Sequence, residues 1–466
     1  MRLIEEAKTV LLVALVILSL VLTGRLMVGV QSAAQDTDQV FPLVDLEKPE
    51  VDLEAVLKPS RIAVHLGNGQ HRVLLPGTPD YAALWDTGLV RQVILGEIGG
   101  LVQQDPVDMK ALRAEQGSLE IIYPVKLQFS RMVAIWTGAP WTGGEDFLSD
   151  RVAVSTGKTP AVYVYSYAHD GYLRLDVKGL GNRASVLANL LKDFAAGDRP
   201  RWVEAPAEVN GITINRGVLL PKPDYSIPAL VVKGEQTSPE EMLHKFFLDR
   251  SVVRTIEEND GAVIYSDGRQ GLRVYPPGAV EYSCPVVAGD GQAGDYMAAL
   301  ERALEFTALH GGLPEGVHPI EMSGHSRTAG LQEIRLSYRW KGIPVWGDEA
   351  PIVVGLSSQG VGSYLRGVYV VAGSVNPSGQ TVSAEEALNI LSRHWATVFP
   401  EGLERAVKDV YPGYWSNPVG TEQDLLKPVW VVESSSGLKA FIDVASGAVW
   451  GEQKGGSLGW TGPKPR

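Results

Sequence analysis

Cysteine is almost missing: Cys284 stands alone among 466 residues. No intramolecular disulfide can form, so stability has to come from packed cores. A lone thiol in Ser283-Cys284-Pro285, beside a strand-like stretch, reads as a small buried hydrophobe and not as a nucleophile. Basic clusters are missing as well. The 42 Lys and Arg are outnumbered by 54 Asp and Glu, for a formal charge of -12, and no run of cations is there to displace the counterions of nucleic acid or to hold an anionic lipid surface. Partners are therefore expected among proteins and small ligands. With 45% hydrophobic and 21% charged residues, the composition is that of folded protein throughout.

Complete catalytic motifs are absent too. Ser155-Thr156-Gly157-Lys158 spells the S-x-x-K of penicillin-binding proteins, but that motif needs a helix to bring serine and lysine onto one face. Here Gly157 and Pro160 crowd a β-rich stretch and no K-T-G follows. Gly157-Lys158-Thr159 ends like a phosphate loop, yet Val152 occupies the place of its first glycine. His310, His318 and His325 have seven-residue spacing and near it, which fits no helical or turn-based metal-ligand pattern. Gly324-His325-Ser326-Arg327 lacks the closing glycine of a nucleophile elbow, because Thr328 stands there. The expectation is a protein with no enzymatic activity, no metal and no cofactor.

What is present begins with an apolar run from Thr9 to Val30, interrupted only by Arg25. As a helix it would span about 33 Å, close to the roughly 30 Å hydrocarbon core of a bilayer. Ser32-Ala33-Ala34 has the form a signal peptidase reads. Against cleavage stand the length of the run, Glu5 and Glu6 where a basic n-region belongs, and Arg25 before the site. An uncleaved, single-pass anchor is the expectation, with residues 1–8 cytoplasmic, 9–30 in the membrane and the bulk of the chain outside the cell membrane. Leu11, Leu15, Leu18 and Leu22 repeat at 4-3-4 spacing along one face, and Ser19 and Thr23 sit one turn apart on another. These six are the candidate contacts to a membrane partner.

Beyond an acidic, proline-punctuated stalk at 31–60, the pattern predicts an α+β ectodomain of several domains, built from helices packed on small antiparallel sheets. Residues 61–200 read as an N-terminal α+β domain, opening with strands on either side of Gly67-Asn68-Gly69 and closing with a helix at 183–196. Residues 201–288 read as a helix plus meander, the helix opened by a capping box at Ser238-Pro239-Glu240-Glu241. Residues 289–466 read as a C-terminal α+β domain, whose last unit, about 380–452, repeats that order after a second capping box at Ser383-Ala384-Glu385-Glu386. Shared cap chemistry and element order predict an internal repeat. In the stretch 331–340, Ile334, Leu336, Tyr338 and Trp340 alternate with Arg335, Ser337 and Arg339, as in a half-buried strand.

Several separate parts of the chain resemble the YycH family of membrane-anchored accessory regulators. They are the apolar run from Lys8 to Thr23, Asp249-Arg250-Ser251 followed by Tyr265-Ser266-Asp267-Gly268, and Tyr338 with Gly342-Ile343-Pro344-Val345-Trp346-Gly347. The unit Ser383–Trp450 is also similar to PepSY modules, in the opening of its helix and in Phe441-Ile442-Asp443-Val444. The resemblance implies a regulator that contacts a sensor histidine kinase of the WalK (YycG) type and a YycI-like relative in the membrane, within a cell-wall two-component system. It supplies no catalytic residues and does not exclude a homodimer. The competing expectation is an extracytoplasmic peptide-binding or protease-inhibitory module with no kinase partner.

Overall fold

The computed structural model describes residues 49–94, 98–102, 107, 109–196, 201–223, 225–276, 278–284, 295–320, 331–347, 352–377, 379–416 and 425–451. Strands dominate these residues, gathered into sheets of nine, ten and eight strands. The expectation of helices packed on small sheets is thereby overturned. Segments far apart in sequence add strands to one another, and no local pattern predicts that: Thr213 and Ile214 lie parallel to Ala406 and Val407, for example. No helix of the described residues is long and apolar enough to cross a membrane. The run 9–30, with Leu11, Leu15, Leu18, Ser19, Leu22 and Thr23, lies outside the described residues.

The first sheet is antiparallel throughout, with Arg61–Gly67, Ser118–Gln128, Leu148–Ser155 and Ala161–Ser166 at its centre. Strand residues alternate between faces. Ile62, Val64, Leu119, Ile121, Val152, Val154, Val162 and Val164 are fully buried on one face, in a core shared with the helices Phe129–Thr137 and Leu180–Ala196. The other face is polar, carrying Arg61, His65, Glu120 and Arg151, and it too is covered. In a sheet with one wet face such residues would be solvated; here the strand Ala406–Ser416 of the ten-stranded sheet and the turn at Gly217 lie over them.

The eight-stranded sheet is made of two like halves. A helix, Pro239–Phe246, leads into the meander Arg254–Glu257, Val263–Ser266, Gly271–Tyr275 and Ala279–Ser283. A second helix, Tyr296–Leu309, leads into His318–Pro319, Gln332–Ser337, Ile352–Leu356 and Val361–Arg366. The halves join through their last strands, where Tyr282 pairs with Tyr364. Phe246 lies 4.9 Å from Tyr282 and Phe306 lies 5.1 Å from Tyr364, between ring centroids. The two helices meet where Phe246 and Phe306 are 6.0 Å apart.

The same order of elements recurs in the ten-stranded sheet, as helix Ala384–Val398 followed by Ala406–Ser416, Leu425–Ser434, Lys439–Asp443 and Val449–Gly451. The helix-plus-meander unit thus occurs three times, one more than the sequence showed. The cap chemistry differs between copies. At Ser383 both halves of the capping box form, with the Ser383 amide donating to Glu386 at 2.8 Å and the Glu386 amide to the Ser383 hydroxyl at 3.2 Å. At Ser238 only the serine caps, because Glu241 accepts from Lys245 at 2.7 Å instead of reaching back.

The stretch 331–340 is not one strand. Gln332–Ser337 belongs to the eight-stranded sheet, and after Tyr338 the chain crosses to the ten-stranded one, where Arg339–Trp340 and Ile343–Trp346 form a hairpin. Its two-residue turn has positive φ at Lys341 (47°) and Gly342 (81°), the mirror-image turn that suits strand twist. A Cβ at Gly342 would stand 2.5 Å from the Pro76 carbonyl oxygen, so only glycine lets this hairpin seat against the first sheet.

Candidate functional site, a basic cleft between two sheets

The covered polar face of the first sheet, the strand Ala406–Ser416 and the hairpin 339–346 enclose a cavity of about 120 Å³. Its lining concentrates charge against the trend of the chain. Arg61, Lys126, Arg151, Arg339, Lys408 and Lys439 face only three carboxylates, Asp150, Asp409 and Glu433. A protein of net charge -12 therefore keeps a cationic pocket.

Most of these charges are tied to one another. Arg61 and Asp409 form an ion pair across the two sheets. Lys408 lies 3.1 Å from Glu433 and 3.9 Å from Asp150. Asp150 accepts a 2.6 Å hydrogen bond from the Tyr167 hydroxyl and lies 3.7 Å from Arg151. Burial disfavours the charged Asp409, but Arg61, Arg151 and Lys408 outweigh it and hold the carboxyl below its usual range. Burial likewise opposes the charge on Lys408, and Glu433 and Asp150 nonetheless raise its pKa. Arg61 also lies over the Tyr411 ring at 5.4 Å, Lys126 over Tyr167 at 4.3 Å and Lys439 over Trp346 at 5.3 Å.

Arg339 differs from the rest. It is half-buried, lines the cavity, and has neither an ion pair nor a side-chain hydrogen bond among the described residues. Burial pushes its pKa down to about 10, with Tyr81 and Tyr411 nearby working the other way. His318, 1% exposed, shares the lining. Its Nδ1 lies 3.1 Å from the Gly316 carbonyl oxygen, and burial followed by the Arg339 charge holds its pKa well below the ordinary value. The imidazole is neutral at pH 7.

Beside the cleft a second network is sealed in the first sheet. Arg113 donates to both oxygens of Glu120, at 2.5 and 3.0 Å. Glu120 also accepts from the Tyr172 hydroxyl at 3.2 Å and lies 3.2 Å from Nε2 of His65. His65 and His71 meet through their Nδ1 atoms at 2.8 Å. Burial would raise the Glu120 pKa, yet the close approach of His65 and the hydrogen bonds from Arg113 pull it well below its ordinary value. Burial first, then the charges of His65 and Arg113, lowers His71 to about 4. This carboxylate–imidazole–imidazole chain is not continuous as a proton relay, because Nε2 of His65 and Nε2 of His71 make no hydrogen bond among the described residues.

The remaining sequence candidates lie elsewhere. Ser155 ends a strand and donates to Glu115 at 2.7 Å, so no helix aligns it with Lys158. His310 stacks on Phe306 at 3.9 Å and its Nδ1 lies 2.8 Å from the Phe306 carbonyl oxygen. His325 lies outside the described residues. Cys284 is half-buried, and burial raises its thiol pKa. Among the described residues no group of three His, Cys, Asp or Glu side chains is placed to hold a metal ion. The cleft was not expected from the sequence, where Arg339 read as the outer face of one strand. Glu120 did leave a signal, as one carboxylate inside the apolar Leu119-Glu120-Ile121-Ile122.

No family model matches the chain, and no curated protein matches it. Among solved structures, the crystal structure of an uncharacterized protein from Eubacterium rectale ATCC 33656 is similar over 53% of this chain and 93% of that one, at 12% identity and a TM-score of 0.35, a likeness too slight to carry an argument.

Proposed function

We propose that this chain is a regulatory binding protein without catalytic activity, and that occupancy of the basic cleft biases a sensor histidine kinase at the membrane. The observation that carries this reading is the cleft itself. It joins two sheets through the Arg61–Asp409 and Lys408–Asp150 contacts, so a ligand that disturbs those pairs changes how the sheets meet. A ligand shifts a partner's equilibrium only by its differential affinity for two states, and a coupling of about 1–3 kcal/mol suffices. The apolar run 9–30 and the likeness to the YycH family support the membrane and kinase parts of the proposal.

The test is an exchange of residues 10–28 for an unrelated membrane anchor in the full chain, with a kinase-dependent reporter as readout. The reading expects altered output. Unchanged output removes the kinase from the account.

A second reading, peptide binding with no kinase, is favoured by the edge strand Tyr369–Val375. Its outer side pairs with no other strand among the described residues. It carries no charge, and Val370 and Val375 are 56% and 53% exposed. Such an edge accepts an added strand. Capture of an extended peptide by both the intact chain and a version lacking residues 1–47 would favour it over the kinase reading.

A further inference from the structure

We infer that the cleft receives a small organic oxyanion, a phosphate ester or a carboxylate joined to a flat apolar group, with Arg339 as its charge partner. This rests on the cleft being the ligand site of the regulatory reading, and it adds the class of ligand. The argument starts from the pairing of the cations. Arg61, Arg151 and Lys408 have carboxylates beside them. Lys126 and Lys439 lie over aromatic rings, and Lys439 also donates to the Gly437 carbonyl oxygen at 3.3 Å. Among the described residues Arg339 alone in the lining has no such arrangement, although it is withdrawn from water far enough for its pKa to fall to about 10. An ion taken out of water without a partner is unfavourable, and an incoming anion relieves that cost.

Guanidinium geometry sets the kind of anion. Its planar fork donates two parallel hydrogen bonds, which matches two oxygens of one carboxylate or phosphate better than a halide. The surroundings set the rest of the molecule. Trp346, Tyr411, Pro344, Pro412 and Ile320 share the lining, and they offer apolar and aromatic surface to a ring. Nε1 of Trp346 is a buried donor with no partner among the described residues, and an additional ligand oxygen would satisfy it. With its Nδ1 hydrogen directed to the Gly316 carbonyl, neutral His318 keeps Nε2 as an acceptor for a ligand hydroxyl. At about 120 Å³ the cavity suits a single ring with one charged substituent. A nucleic-acid strand would need a longer basic track.

The experiment is a calorimetric titration of the purified full chain in mild detergent with phenyl phosphate, benzoate, inorganic phosphate and benzyl alcohol. The inference expects one site for phenyl phosphate, benzoate or both, and binding of benzyl alcohol at least 100-fold weaker. The two anions tell a phosphate source from a carboxylate source. Arg339→Gln should weaken the better anion at least tenfold, and Arg339→Lys, which keeps the charge but loses the fork, should fall between. Thermal melting of each variant without ligand shows that the fold is kept, and the anion should raise the melting temperature of the unaltered chain more than that of Arg339→Gln. Equal binding by Arg339→Gln, or binding of none of the anions by the unaltered chain, overturns the inference. Either result leaves the regulatory reading to the anchor exchange, which does not depend on the ligand's charge.

Discussion

Replacing Glu120 by leucine should be among the most damaging single changes in the first sheet. Glu120 is 4% exposed and Arg113, its bidentate partner, 6%. Leucine leaves the guanidinium buried without a counterion, and breaking a buried pair from one side costs about 3–5 kcal/mol. The Tyr172 hydroxyl loses its acceptor as well, worth about 1 kcal/mol. Removing both charges is a different matter. Arg113→Met with Glu120→Leu takes away the orphaned ion and leaves only the loss at Tyr172, about 1 kcal/mol. Arg113→Met alone orphans the Glu120 carboxylate in the same way, so the double variant should cost less than either single one, a coupling of roughly 3 kcal/mol or more in a double-mutant cycle. Amide hydrogen exchange across Ser118–Gln128 reads the opening free energy of that strand. At about 1.4 kcal/mol per decade, Glu120→Leu should accelerate exchange by about three to four decades and the double variant by about one or less. A single variant that costs less than about 1 kcal/mol, or a double variant worse than the single, refutes the account of this network.

Acidification should loosen the fold before its carboxylates titrate. His71 and His310 are buried and lowered to about 4, so the unfolded chain binds more protons between the ordinary histidine value of about 6.5 and about 4. Stability is then complete above pH 6.5 and is lost as pH falls toward 4, by about 3 kcal/mol for each imidazole. His310→Phe should flatten the fall in melting temperature between pH 7 and 4, and an unchanged slope would show that His310 does not contribute. Gly342→Ala meets the Pro76 carbonyl oxygen and a positive φ together. It should cost about 2–4 kcal/mol by thermal melting, and a melt like that of the unaltered chain would mean the hairpin does not seat as described. Ser383→Ala removes half of a complete capping box and should cost about 1 kcal/mol. Ser238→Ala, with its longer 3.4 Å cap, should cost less. The reverse order would contradict the difference between the two caps.

Local rules made part of this fold legible. The strands on either side of Gly67-Asn68-Gly69 pair as a hairpin. The helix that ends the first block runs Leu180–Ala196, and Ser383 carries its capping box. Each depends on neighbours in sequence. What escaped depends on partners far away. The alternation around Arg335, Ser337 and Arg339 is real, yet Ser337 is 1% exposed, because the face that alternation assigns to water packs against another sheet. The chain leaves its strand at Tyr338, where the Val345 amide donates to the Tyr338 carbonyl at 3.0 Å, and no residue type in that stretch announces the crossing. Three helix-plus-meander units share order more than sequence, so the copy at 296–366, interrupted by the hairpin 339–346, went unseen. The cleft was illegible for the same reason, since Arg61, Arg151, Arg339 and Lys408 come from four separate stretches of chain.

The most direct measurement is a crystal structure of the full chain with whichever of phenyl phosphate and benzoate binds more tightly. The account predicts the anionic oxygens on the Arg339 guanidinium and the ring against Trp346 and Tyr411. Ligand density elsewhere on the chain, with the cleft holding only water at saturating concentration, would contradict it.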